Sequence, residues 1–533
     1  MKKIFLILST LALVACKLDD NIDPNLPQTK DLSPRNLITA AETTSYAAQT
    51  GSMFQLSNIW TNTWSGNYYY YAAPMTREYQ MDVTSTFYNG IWNSNYLALA
   101  NLSQIITSEK SANYPLHVAM SKILFANSMQ YIVDFYGDAP YSEAFQQQKK
   151  LTPKYDKGED IYHDLVIKLN EAISTLNSVS MPDVGNEVRA TEDVIFGASG
   201  NGDTAASSLL YGPWKENWIK LAKTIKLRIL LRQSNVSDAT IKTFVNQQLS
   251  TLIVDPAINP FVSSDVTIQP GYNSGTQAGM NPLYGAYGFY LYDGTRNNSG
   301  NRYIMISDHF AKLLRGDASK PTSGVADPRR KAMYRARVRG TAPSEVYGIE
   351  QGSVKPSGLL EDNFSRLGWI YNTALATGSA NVGYLVTSSE SELLQAEAAV
   401  LYPQYFSNAQ MHYNKAVEKS FTAYGLTGSD ASTYLASLDS KSVGWSGAPS
   451  KIAAIQYQRL VCLNLTRPVE TYINYLKTGY PNTPLAVTAT KPNKPYRLVY
   501  PQSEYVGNSA NVPNVTANDV FVKNNFTPFW NRN

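Results

Sequence analysis

The sequence predicts a mostly α fold, with a tetratricopeptide-like helical hairpin and long irregular loops between its helices. Three observations predict it. Most periodic segments repeat apolar residues at helical spacing. The segment Asn408–Gly425 places Ala409, Tyr413 and Ala416 in the small–aromatic–small pattern of the second helix of a tetratricopeptide unit. Between the helices lie long aperiodic stretches, Asn58–Tyr79, Glu187–Tyr211, Val262–Asn301 and Tyr480–Asn533; loops of that length carry function or wrap a core.

Taken in order, the chain opens with a positive pair, Lys2 and Lys3, followed by the apolar stretch Ile4–Val14. That length suits a signal sequence and falls short of the roughly 18 residues a spanning helix needs. Leu13-Val14-Ala15-Cys16 resembles a bacterial lipobox, in which the cysteine thiol is acylated and becomes the first residue after cleavage. Residues 1–15 are therefore expected to be a lipoprotein signal peptide. Residues 16–39, polar and proline-containing, read as a lipidated tether, and residues 40–533 as one large domain. The only other cysteine, Cys462, lies in the apolar helical stretch QRLVCLNL and reads as an inert core residue.

The helices follow. Leu116–Tyr136 is apolar at helical spacing and Gly137 ends it. Asp156 and Glu159 have capping-box spacing ahead of a face made by Ile161, Leu165, Leu169, Ala172 and Leu176. Trp214, Trp218, Leu221, Ile225 and Ile229 form one stripe of the next helix, and the basic cluster around Lys215–Arg232 is expected on its solvated face. SESELLQAEAAVLY, NAQMHYNKAVEKSFTAYG and the segment from Lys451 to Gly479 complete the scaffold.

Composition narrows the function. Charged residues are 17% of the 533, and the formal net charge is +4, or +2 once Lys2 and Lys3 leave with the leader. So neutral a balance argues against a nucleic-acid partner. The histidines, His117, His163, His309 and His412, are scattered without metal-ligand spacing. There is no GxSxG elbow, and Gly197–Asp203 lacks the Lys-Ser/Thr end of a phosphate loop. No catalytic residues, metal or cofactor are expected, and the protein does not read as an enzyme.

Aromatic clusters in the loops are the positive signal. Trp60, Trp64 and Tyr68–Tyr71, among them Tyr69, occupy one loop, and Trp92 follows. A glycine-rich loop supplies Tyr284, Tyr287, Tyr290 and Tyr292 beside Asn, Asp and Arg. Aromatic faces next to amides and carboxylates suit sugar rings, and they also suit extended peptides.

Several stretches together resemble the SusD/RagB family of surface lipoproteins, in its second, SusD-like branch. They are CKLDDNIDPNLP, DFYGDAPYSEAF, YDKGEDIYHDLVIKLNEAISTL, the Trp214–Trp218 helix ending KLRILLR, Asp327-Pro328-Arg329, SESELLQAEAAV, the Lys451–Gly479 helices and RLVYPQSEYVGNSAN. The resemblance departs at Val469-Glu470 and Tyr475-Leu476, which read as scaffold variation. It implies a mostly α, tetratricopeptide-like helical-pair scaffold with a loop-rich irregular half packed on it, and an outer-membrane protein anchored by lipid at Cys16 and facing the cell exterior. Lys17-Leu18-Asp19-Asp20 is similar to the charged segment that directs such lipoproteins outward. The implied role is capture of a nutrient oligosaccharide for a SusC-like TonB-dependent transporter. Oligopeptide capture, or a structural lid without its own ligand, are the alternatives. The implied ligand residues, by region, are Trp60, Trp64, Tyr69 and Trp92 from the first loop and Tyr284, Tyr287, Tyr290 and Tyr292 from the second.

Overall fold

Apolar spacing places the helices, and buried charge decides how they lock together. The structure is a computed structural model that describes residues 32–146, 149–179, 187–197, 208–253, 258–338 and 344–532. The leader, Cys16 and most of the expected tether lie outside the described residues. The helices of eight residues or more are α1 (Pro34–Thr50), α2 (Ser52–Trp60), α3 (Gly90–Ile106), α4 (Pro115–Tyr136), α5 (Gly158–Ser178), α6 (Ser208–Arg232), α7 (Ala239–Ser250), α8 (Asp308–Arg315), α9 (Ser388–Leu401), α10 (Ala409–Ala423), α11 (Gly428–Leu438), α12 (Lys451–Leu463) and α13 (Pro468–Thr478). Residues Pro34–Thr39, read as tether, already belong to α1, with proline at its first position where no amide hydrogen is required.

Neighbouring helices pair as hairpins: α3 with α4, α4 with α5, α5 with α6, α9 with α10, and α12 with α13. Tyr413 and Ala416 are buried, as tetratricopeptide spacing requires. The first and last parts of the scaffold meet, because α2 packs on α13. One apolar cluster runs from Ile38 to Trp530. The irregular half carries three two-stranded antiparallel pairs among the described residues. They are β1 (Trp64–Gly66) with β5 (Ile304–Ile306), β2 (Ala139–Pro140) with β3 (Tyr155–Asp156), and β4 (Val266–Ile268) with β6 (Gly383–Val386).

Two local readings change. Lys157, not Asp156, is the N-cap of α5, and its side chain makes no capping bond. Asp156 instead accepts from the Ser142 amide at 2.7 Å in the β2–β3 corner. The Gly158 amide donates to Asp138 at 3.0 Å, so the preceding corner caps the helix from outside its own sequence. Gly137 makes that corner possible at φ +76°, and a Cβ there would sit 3.0 Å from the Phe526 carbonyl.

The basic run of α6 is the second change. Arg228 and Arg232 are buried, against the expectation of a solvated face. Arg228 pairs with Glu390 of α9 at 3.0 Å. Arg232 pairs with Glu470 of α13 at 2.9 Å and with Asp134 of α4 at 3.3 Å. Arg467, just ahead of α13, reaches Glu390 at 3.2 Å and donates to Gln49 of α1. Three arginines and three carboxylates thus join five helices, with Gln130 and Tyr131 supplying further hydrogen bonds. Each charge is tolerated inside only because it is paired and hydrogen-bonded. A similar cluster joins Arg459 and Lys477 to Glu397. Glu470, which read as scaffold variation, is the hub of the first.

The segment after α13 folds back over the scaffold. The Leu498 amide donates to the Phe135 carbonyl at 2.7 Å, and the Tyr500 hydroxyl to the Asp138 carbonyl at 2.6 Å. Trp530 lies buried beneath the Arg232 guanidinium.

Candidate functional site

The two aromatic loops converge because β1 pairs with β5. Trp64 faces Ile306 and Gly66 faces Ile304 across the pair. Gln351 ties the start of the first loop, donating to the carbonyls of Ile59 at 2.8 Å and Trp64 at 2.7 Å. Buried Asn67 then turns the chain outward. Its amide nitrogen donates to the Arg302 carbonyl at 2.8 Å and to Glu361 at 2.7 Å, and its oxygen accepts from the Tyr69 amide at 3.0 Å. Tyr68 stays buried on Met305 and Ile349. Tyr69 is half-buried, whereas Tyr70 is 39% and Tyr71 60% exposed.

The second loop starts with a short helix, Pro282–Tyr287, capped by Asn281, whose side chain accepts from the Leu283 and Tyr284 amides. A hairpin follows. Tyr290 bridges Arg296, the Leu291 amide donates to the Thr295 carbonyl at 2.8 Å, and Gly294 takes φ +80° at the tip. Tyr290 is half-buried and Tyr292 is 46% exposed at that tip.

Phe364 joins the two loops. Its ring lies 5.8 Å from Tyr69 and 6.2 Å from Tyr68. On its other side it lines a pocket of about 240 Å³ with Phe289, Arg296, Arg335 and Arg366. Arg302 sits 5.1 Å over the Tyr70 ring and Lys355 4.5 Å over Tyr69. Glu361 ties Arg302, at 2.9 Å, to Arg366. Burial pushes the Glu361 carboxyl up, but the hydrogen bonds from Arg302 and Asn67 and the Arg366 charge outweigh it and hold the group below its usual range. The result is a face of partly exposed rings bordered by fixed charges.

The remaining expected ligand residues are placed differently. Trp60 and Trp64 are core residues; Trp64 is fully buried, 5.6 Å from Phe54 and 5.0 Å from Tyr287. Tyr284 is buried and donates to the Thr373 carbonyl at 3.0 Å. Gly378 lies against its ring so closely that a Cβ would come within 1.9 Å. Tyr287 is buried as well, and the four rings Trp60, Trp64, Tyr284 and Tyr287 support the loops from beneath. Trp92 lies elsewhere, at a cleft of about 1110 Å³ lined also by Tyr96, Asn93, Asn101, Gln104 and Glu504. Its ring is occupied by Tyr96 at 4.6 Å and Tyr136 at 5.0 Å.

Sequence reasoning missed Phe364 and the arginines around it. Arg335 lines the pocket, whereas Arg337, two positions on, lies over the Tyr347 ring, so their alternation gave no usable signal. Phe364 had none, standing alone in a polar turn. The four histidines make separate contacts: His117 with Glu192, His163 with Phe244, His309 with Lys320 and His412 with Glu392. Among the described residues no His, Cys, Asp and Glu group could hold a metal ion, and no helix is long and apolar enough to cross a membrane.

A helical-pair scaffold that presents a loop-built aromatic face defines a class of ligand-binding protein. The chain belongs to the second SusD-like family, described as "Starch-binding associating with outer membrane", which matches residues 24–501. Membership carries association with the outer membrane and a carbohydrate-binding role in nutrient uptake. Solved structures share the fold. A chitin-binding SusD homologue from Flavobacterium johnsoniae superposes with a TM-score of 0.66 at 19% identity, covering 93% of this chain and 98% of that one. A SusD homologue from Bacteroides fragilis gives 0.67 at 20%, covering 94% and 99%. A further chitin-binding protein gives 0.63 at 23%, covering 90% and 95%. Among curated proteins, none matches the chain.

Proposed function

We propose that the protein is a cell-surface lipoprotein, anchored through Cys16, that captures a nutrient oligosaccharide and passes it to a SusC-like TonB-dependent transporter. The observation that carries the reading is the packing of Tyr69 on Phe364 beside the exposed Tyr70 and Tyr71, with Phe289 of the second loop lining the adjoining pocket, in a face bordered by charged and amide groups. Sugar rings stack their apolar faces on such rings, and their hydroxyls find donors and acceptors at the rim. The chemistry is capture and release, with lid closure over the transporter and no covalent step.

Native affinity gels of the mature protein on a broad glycan panel test this. Retardation by at least one glycan, lost in Tyr70→Ala/Tyr71→Ala with unchanged thermal unfolding, is expected. No retardation across the panel, together with recovery of specific peptides from a peptide pool, would overturn it in favour of peptide capture. Cys16→Ala should abolish lipid labelling, and protease treatment of intact cells should degrade the wild-type protein.

A further inference from the structure

The pocket beside Phe364 carries more than the aromatic face requires. Three guanidinium groups line it, from Arg296, Arg335 and Arg366, with Asp362 the single carboxylate in the same wall. Arg296 and Arg335 are exposed on the rim, and among the described residues neither is ion-paired. Arg366 forms the floor and is 8% exposed. One side of its guanidinium is held by Glu361, while its Nη1 has no hydrogen-bond partner among the described residues. A buried cationic donor left unpaired is costly. Burial and the charges of Arg296, Arg302 and Arg335 all work against the Arg366 cation, and only Glu361 favours it. An anion entering the pocket would relieve that crowding and complete the floor's hydrogen bonding.

We infer that this pocket receives an acidic substituent, a carboxylate or a sulfate half-ester, of the captured oligosaccharide. The inference rests on the glycan reading above and specifies its substrate class. Guanidinium groups match such oxyanions with two parallel charge-assisted hydrogen bonds, which a neutral hydroxyl does not reproduce. The volume supports a substituent: about 240 Å³ is below the roughly 300–1,000 Å³ that encloses a whole small ligand. Phe364 lines the pocket and packs on Tyr69, so the sugar bearing the acid can lie against an apolar wall while its neighbours continue over Tyr69–Tyr71.

The test compares oligogalacturonate with its carboxyl-reduced form, and sulfated galactan oligomers with their desulfated forms, by calorimetric titration of the full-length protein. The acidic member of one pair is expected to bind about thirtyfold more tightly or better, as for a buried hydrogen-bonded charge pair. Which pair shows it separates carboxylate from sulfate. Arg335→Gln and Arg296→Gln, both exposed positions, should erase the preference and its salt dependence without shifting thermal unfolding. If acidic and neutral members bind alike and the arginine variants change nothing, the acidic pocket is refuted while glycan capture stands. If none of these oligomers binds, the broad glycan panel decides the glycan reading, and inorganic sulfate decides the pocket. Stabilisation of wild type but not of the arginine variants supports an anion site; equal stabilisation of all three refutes it.

Discussion

Glu470→Gln keeps the side chain's shape and removes one charge from the centre of the scaffold. Glu470 accepts from Tyr131 at 2.8 Å and from Arg232 at 2.9 Å, and lies 3.5 Å from Arg228 Nε. After the change, three buried arginines face two carboxylates, and the new amide turns a donor toward donors. Breaking a buried ion pair in this way costs about 3–5 kcal/mol. The matched control is Glu171→Gln, which breaks a 2.8 Å pair with Lys122 at a half-exposed site and costs about 0–1 kcal/mol. With an unfolding entropy of about 2.1 cal/mol/K per residue, a chain this long loses about 1 °C in Tm per kcal/mol. Thermal unfolding followed by circular dichroism should therefore fall by about 3–5 °C for Glu470→Gln and about 1 °C or less for the control. Burial raises the Glu470 carboxyl, but Arg228, Arg232 and Arg467 outweigh it and hold the group well below its usual 4.5. A depressed carboxylate contributes stability above its unfolded value and loses it as pH falls toward its folded one. The deficit of Glu470→Gln should thus be full at neutral pH and shrink below about pH 4.5. Equal midpoints for the two variants at neutral pH would refute this account of the buried network.

Asp134 behaves in the opposite sense. Burial, only partly offset by Arg232, raises its carboxyl from 3.8 to about 6, so the stability it adds is full below its unfolded value and is lost as pH rises through about 6. Wild type should gain on Asp134→Asn as urea midpoints are measured from pH 6 down to pH 4; a pH-independent difference would contradict it. Trp64→Ala should lose about 3–5 kcal/mol in urea unfolding as a core truncation, whereas Tyr71→Ala should stay within about 0.5 kcal/mol. Equal losses would show that the two rings share a role. Burial raises the Cys462 thiol, with Arg329 opposing; in a Cys16→Ala background a thiol reagent should label it only as fast as the protein unfolds, and labelling at the rate of a free thiol would refute its burial.

Much of the scaffold was legible in the sequence because helical periodicity is local. Ile161, Leu165, Leu169, Ala172 and Leu176 needed only their spacing to declare a buried face, and all five are fully buried. Arg228 and Arg232 misled for the same reason: nothing nearby in sequence reveals Glu390 or Glu470, which lie more than a hundred residues away. The candidate site was legible as regions and not as residues. Composition marked both aromatic loops, but only the register of β1 against β5 and the turn at Asn67 decide that Trp64 points inward and Tyr70 outward. Phe364 and Arg366 join the face through tertiary placement alone.

The segment after α13 has a consequence for how the chain acquires its shape. Its bonds close some of the longest spans in the molecule, with Tyr500 to Asp138 separated by 362 positions and Asn62 to Pro484 by 422. Pairings so remote in sequence are slow to form, since the entropy of closing the loop is lost before any contact rewards it. A chain delivered amino end first can build the α3–α4 and α4–α5 hairpins early. It cannot cover the end of α4, or set Trp530 beneath Arg232, until residues 480–532 arrive. Completion therefore depends on residues 480–532, and a ribosome that still holds them keeps the molecule unlocked.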